Sequence, residues 1–268
     1  NPDINPEVAF EQPLVSEAET IDVPSHWVLR GEGRWGAPAY TNVDFPFPVD
    51  PPFPPEENPV GDYSRRFTCP ESWLSSGGQI RLRFEGVESQ IIVWVNGQWI
   101  GMARGSRLAH EFDINEALVP GENTVTLRVH QFSAGSYLED QDQWWLPGVF
   151  RSVSLRYLPA FSIEDLWIST DYEAGEGFAT LELRVRGAQS ETLEANLDVE
   201  GLGASVLTLA RGEDGRYRSE RIGLGTVQPW SPQSPKLYAA RVQAVGEGGR
   251  LTEERHLRLG FRRIEIVD

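Results

Sequence analysis

Cysteine and lysine are the scarcest chemistry-bearing residues in this 268-residue chain: Cys69 is the only cysteine and Lys236 the only lysine. With one thiol, no internal disulfide can form and a cysteine-built zinc site is excluded. A lone cysteine fits a reducing, cytoplasmic compartment and is compatible with export as well. The four histidines, His26, His110, His130 and His256, stand far apart without ligand spacing and read as ordinary surface or core residues. Positive charge is also scarce. Lys and Arg total 24 against 40 Asp and Glu, a net charge of -16, and no basic stripe is present. Such a surface repels phosphate, so nucleic acid is not an expected partner. No run of 18 apolar residues exists to cross a membrane as a helix, and no membrane partner is expected. G-x-G-x-x-G, P-loop lysine, G-x-S-x-G and H-E-x-x-H patterns are all missing. Helical periodicity is missing before Leu158, except for a turn or two near Glu71–Leu74. The first residues, Asn1-Pro2-Asp3, are neither a charged leader nor an initiator Met, and suggest a processed or truncated chain.

What is present points to short strands. Hydrophobic residues make up 40%, including nine Trp, enough for packed cores, while 26 Gly and 19 Pro are scattered as turn formers. Ile80, Leu82 and Phe84 alternate with Arg81 and Arg83, the period of a half-buried strand. Gln90–Val95 is a continuous apolar run, and Asn96-Gly97 before Gln98-Trp99-Ile100 is a strong hairpin signal. Thr124–Val129 and Val149–Tyr157 complete this series. The stretch from Phe45 to Pro59 alternates Phe with Pro and reads as an ordered extended arm whose three Phe pack on the domain. Leu158-Pro159-Ala160 is the best boundary. Beyond it the alternation becomes regular: Ala179, Leu181, Leu183 and Val185, then Leu193, Ala195, Leu197 and Val199, face one side. About seven short strands in roughly 100 residues is an immunoglobulin-like pattern without its cysteine pair.

One segment concentrates candidate chemistry. Glu139, Asp140 and Asp142 crowd against Trp144 and Trp145. Carboxylates accept hydrogen bonds from sugar hydroxyls, and Trp faces stack on the apolar side of a pyranose. From the residues alone, this loop is a solvated acidic turn, a sugar-binding loop or an acid/base pair. For Trp144 and Trp145, core packing is the expected role. For Asn96, the Asn-Gly pair suits a turn on φ/ψ grounds alone.

The stretch Gly135–Ser154 closely resembles a motif of the β-galactosidases of glycoside hydrolase family 2. Thr41-Asn42-Val43, Asn58–Tyr63, Val93–Gly101, Ser106–Asp113 and Pro120–Asn123 resemble further pieces, as do Pro229–Pro232, Pro235–Tyr238 and Gly260–Arg262 in the second half. The resemblance implies an all-β chain: a jelly-roll sugar-binding domain over residues 1–158, then an immunoglobulin-like β-sandwich over 159–268. It implies that the catalytic TIM barrel, with its acid/base and nucleophilic Glu, would begin beyond Ile266-Val267-Asp268. No catalytic residue is therefore expected in this chain, and the chain alone should be inactive. The expected parent is a retaining β-galactosidase acting on terminal β-galactosides. The alternatives are a free-standing carbohydrate-binding module or lectin, or the same fragment of a β-glucuronidase or β-mannosidase. The resemblance further implies that Asn96 and Asp142 contact the galactose, with Asp140 a neighbour, and that Asp142 helps hold a sodium ion. It also implies that the two residues share one rim of the first domain. No cofactor is expected in these residues themselves; sodium and magnesium belong to the full-length parent, a homo-oligomer whose partner is the galactoside substrate.

Overall fold

A computed structural model describes residues 19–266; Asn1–Asp3 and the final Val267-Asp268, on which sequence readings were placed, lie outside the described residues. The chain divides into two units after Leu158. Each contains strands with almost no helix.

In the first unit the strands are β1 (Ala39–Thr41), β2 (Val60–Cys69), β3 (Gln79–Phe84), β4 (Val87–Glu88), β5 (Gln90–Val95), β6 (Gln98–Arg104), β7 (His110–Asp113), β8 (Gly121–His130), β9 (Gln143–Trp145), β10 (Gly148–Val149) and β11 (Val153–Leu158). Among the described residues, the one α-helical turn, α1 (Glu71–Leu74), lies where the sequence allowed it. Strands β2-β8-β5-β6 form one antiparallel sheet and β11-β3-β7 a second, while β1-β9 and β4-β10 are two-stranded ribbons. The core of this jelly-roll sandwich takes Ile80, Leu82 and Phe84 from β3, Ile91, Val93 and Val95 from β5, and Val125, Leu127 and Val129 from β8. The alternation in β3 thus sorts apolar residues inward and arginines outward. Those arginines are paired: Arg81, Arg83 and Arg156 all reach Glu111 within 3.0 Å. Burial works against ionising Glu111, but the three guanidinium groups prevail and hold it down to about 2. The uninterrupted run in β5 has its own reason. Ile92 and Trp94, on the strand's other face, are buried as well, and a strand covered on both faces shows no alternation.

The Phe-Pro arm is ordered by a second, smaller cluster. Phe45 and Phe47 pack with Phe132, Tyr137 and Trp145. Asn58 exchanges two side-chain hydrogen bonds with the Phe132 backbone, both 2.9 Å, and Tyr137 donates to the Phe53 carbonyl at 2.7 Å. Phe53 corrects the expectation of three packed rings: its side chain stays 46% exposed, because the chain turns at Asp50–Phe53 and fastens there through backbone groups.

The second unit holds β12 (Ser162–Glu173), β13 (Glu176–Arg186), β14 (Thr192–Val199), β15 (Gly203–Arg211), β16 (Tyr217–Ser219), β17 (Ile222–Thr226), β18 (Tyr238–Val245) and β19 (Arg255–Leu259). They form one antiparallel system in the order β12-β13-β16-β15-β14-β18-β19, with β17 also on β13. Its core is the set that alternation nominates: Leu181, Leu183, Leu193, Ala195, Leu197 and Val199 are all nearly fully buried. Tyr217–Ser219 and Ile222–Thr226 are separate strands. Tyr217–Ser219 pairs with β13 and β15, whereas Ile222–Thr226 pairs with β13 alone.

A candidate sugar-contact rim on the first domain

The acidic loop is built from one end of the four-stranded sheet. At that end Gln90 lies opposite His130 and Arg104. From His130 the chain enters a 3₁₀ turn, Ala134–Tyr137, capped by Ser133 and Ser136. Glu139 then turns back onto the segment after β6: it accepts 2.7 Å from the Ser106 amide and 2.6 Å from the Ser106 hydroxyl. Glu139 is therefore a structural clamp, since both of its oxygens are occupied.

The chain next forms the ribbon β1-β9, with Ala39 opposite Trp145, Tyr40 opposite Trp144 and Thr41 opposite Gln143. Pleating sends alternate pairs to opposite faces. Trp145 turns inward to the aromatic cluster, and its Nε1 donates to Thr41 Oγ1 at 2.8 Å. Tyr40 and Trp144 take the outward face, 49% and 53% exposed, with ring centroids 5.5 Å apart at 43°. The expectation of core packing thus holds for Trp145 and not for Trp144, because adjacent residues on a strand point opposite ways. The Tyr40 hydroxyl donates to Asp142 Oδ1, a bond that pushes the phenol pKa up. Asp142 is exposed. Asp140 is half-buried, with its Oδ1 shielded and unpartnered among the described residues.

Asn96 lies elsewhere. It occupies a left-handed position, φ 51°, in the two-residue turn before Gly97, φ 84°, the conformation an Asn-Gly hairpin requires. Its carboxamide is fully used: Nδ2 donates to the Ala117 carbonyl at 2.8 Å and to Asn123 Oδ1 at 2.7 Å, and Oδ1 accepts from the Thr124 amide at 2.8 Å. The hairpin closes the Val95 end of the sheet, five strand steps from the Gln90 end, or roughly 17 Å. The expectation that Asn96 and Asp142 share one rim is therefore corrected. The two residues cap opposite ends of β5 and its neighbours, and the turn consumes the side chain.

The residue that does stand beside Asp142 is Asn42. It follows Thr41 just as Asp142 precedes Gln143, so the two flank the last pair of the ribbon, and both are exposed. Thr41-Asn42-Val43 carries no local signal of a functional role. The missing signal was the pairing of β1 with a strand about 100 residues later, which no local pattern reveals.

Behind the loop lies a small polar pocket, about 10 Å³, lined by Glu88, Ser89, Arg107, Ser136, Glu139, Gln141 and Gln143 with the two tryptophans. That is room for about one water molecule. Glu88 is 4% exposed, and burial pushes its carboxyl up to about 7 although Arg107 approaches to 2.9 Å. Burial is the largest influence on this carboxyl and outweighs the Arg107 charge and the Leu146 backbone, while the nearby Glu139 carboxylate pushes the same way as burial. Among the described residues no group of three or more His, Cys, Asp or Glu converges to hold a metal ion.

Comparisons with known proteins identify the family. Residues 2–159 match the model described as "Glycosyl hydrolases family 2, sugar binding domain", and residues 161–262 the model "Glycosyl hydrolases family 2". The chain is 47% identical to a β-galactosidase of Arthrobacter sp. (strain B7), over 97% of this chain and 24% of that protein. It is 38% identical to a β-galactosidase of Pectobacterium atrosepticum, over 99% of this chain and 26% of that protein. It thus spans about a quarter of the length of the curated relatives it matches. Among solved structures, a β-glucuronidase from an uncultured Clostridium sp. aligns with a TM-score of 0.65 at 22% identity, covering 98% of this chain and 42% of that one. A β-D-mannosidase from Dictyoglomus thermophilum aligns at 0.61 and 20% identity, covering 77% and 30%. At these identities the structural likenesses establish the fold alone. The two family models follow one another along nearly the whole chain, and the chain belongs to family 2 of the glycosyl hydrolases.

Proposed function

We propose that this chain is the sugar-contacting part of a β-galactosidase, with its first domain presenting the β1-β9 rim to the substrate and its second serving as a spacer sandwich. The observation that carries this reading is the 47% identity to a β-galactosidase across 97% of the chain. The rim supplies binding chemistry of the right kind. A carboxylate makes a strong, charge-assisted hydrogen bond to a sugar hydroxyl, and Asp142 Oδ2 has no partner among the described residues. In this reading the Asn42 carboxamide takes the second polar contact that the resemblance implied for Asn96, with Asp140 a neighbour in the same loop. Asp142 also fits a sodium ion as one oxygen ligand, since hard cations prefer oxygen. The remaining ligands of such a shell would come from outside this chain, as would magnesium.

The bond-breaking carboxylates also belong to the longer protein in this reading, in a retaining double displacement. Binding groups accelerate such a reaction only beside the chemical groups they orient. The test is a comparison of aryl β-galactoside, β-glucuronide and β-mannoside hydrolysis by the full-length protein that carries these domains, with the 268-residue chain assayed alongside. The galactoside is expected to be turned over fastest, and the chain alone to match the buffer blank. Faster glucuronide or mannoside turnover would overturn the substrate, and activity of the chain alone would misplace the chemistry.

A further inference from the structure

We propose that Tyr40 is a positioning residue for Asp142, fixing the carboxylate so that a single oxygen faces the sugar. The inference rests on the reading of Asp142 as a galactose contact. An aspartate on an exposed loop has several rotamers open to it, and freezing one on binding costs entropy. Here the rotamer is chosen beforehand. Tyr40 donates to Oδ1, and Oδ2 has no hydrogen-bond partner among the described residues. The phenol can impose this because it is itself restrained. Its ring lies against Trp144, the residue directly opposite in the ribbon. The ribbon in turn is fastened from its other face, where Trp145 sits 6% exposed in the aromatic cluster and donates to Thr41. A continuous path of contacts therefore runs from that cluster through the ribbon and the Tyr40–Trp144 pair to one carboxylate.

A phenylalanine at position 40 would keep the ring against Trp144 and remove only the donor. In the full-length protein, Tyr40→Phe is expected to raise the Kd of a non-hydrolysable thiogalactoside, measured by calorimetry, roughly three- to tenfold. The kcat/KM for an aryl galactoside should fall by a similar factor, with the melting temperature unchanged. Asp142→Ala should weaken thiogalactoside binding by more, on the order of tenfold to a hundredfold, since it removes the charged acceptor itself. In the Asp142→Ala background, Tyr40→Phe should add nothing, because a residue acting only through Asp142 has nothing left to hold. Additive losses would show that Tyr40 touches the sugar directly and would overturn the positioning role. A loss on Asp142→Ala with none on Tyr40→Phe would overturn this inference while sparing the function. No loss on Asp142→Ala would remove both.

Discussion

The two ends of the first domain's four-stranded sheet are built by opposite routes. At the Val95 end, two adjacent residues close a hairpin, and everything the turn needs is local: left-handed backbone at Asn96 and Gly97, and a carboxamide that ties three neighbouring groups together. At the Gln90 end, a capped 3₁₀ turn, a Glu139 clamp and a ribbon joining residues 39–41 to 143–145 are assembled from distant parts of the chain. At the first end the Asn96 carboxamide is spent on the turn itself, although Asn96, Gln98 and Trp99 are exposed. The second leaves Asp142, Asn42, Tyr40 and Trp144 exposed. Polar residues at a strand end are thus a poor guide to function until their hydrogen bonds are counted; a side chain with every donor and acceptor engaged has nothing to offer a ligand.

The comparison can be broken most severely at Trp145. Trp145→Ala should destabilise the first domain by about 3–5 kcal/mol in urea unfolding, since it empties a buried aromatic site and unfastens the ribbon. A loss below about 1 kcal/mol would show that the Gln90 end does not depend on the aromatic cluster. Next comes Asn96→Ala, which removes three hydrogen bonds and places a residue averse to positive φ at 51°. The expected cost is about 2–4 kcal/mol of stability, with thiogalactoside affinity of the full-length protein unchanged. Weaker binding at undiminished stability would return Asn96 to the site.

Glu88→Gln sharpens the contrast through pH. The carboxyl has an ordinary value of 4.5 and is pushed up to about 7 in the folded state, so the folded chain holds this proton more tightly than the unfolded one. The stability it contributes is present below about 4.5 and is lost as pH rises towards about 7. The wild type should therefore lose stability across that window relative to Glu88→Gln, by about 1–3 kcal/mol, with a constant difference at higher pH. Parallel pH profiles for the two proteins would mean that Arg107 fully compensates the buried charge. The smallest effect is expected at the arm: Phe53→Ala should cost under about 1 kcal/mol, because that ring is already 46% exposed, whereas Phe47→Ala should cost about 3 kcal/mol or more. Equal losses would place Phe53 in a packed environment.

The sequence by itself determined what depends on neighbours along the chain. Period-two alternation marked the inward faces of β3, β13 and β14, and the Asn96-Gly97 pair marked its turn, because pleat and turn dihedrals are set within a few residues. The crowding of Glu139, Asp140 and Asp142 against two tryptophans marked the loop that the structure places at the rim. Only the tertiary structure decided which of these groups remain available. Glu139 is consumed by Ser106 and Asn96 by its own turn, while Trp144 and Trp145, adjacent in sequence, part to opposite faces of a ribbon. Tyr40 and Asn42 gained a place beside Asp142 through a pairing across about 100 residues, and the register of that ladder is fixed by burial of the Trp145 face in the aromatic cluster rather than by any local preference.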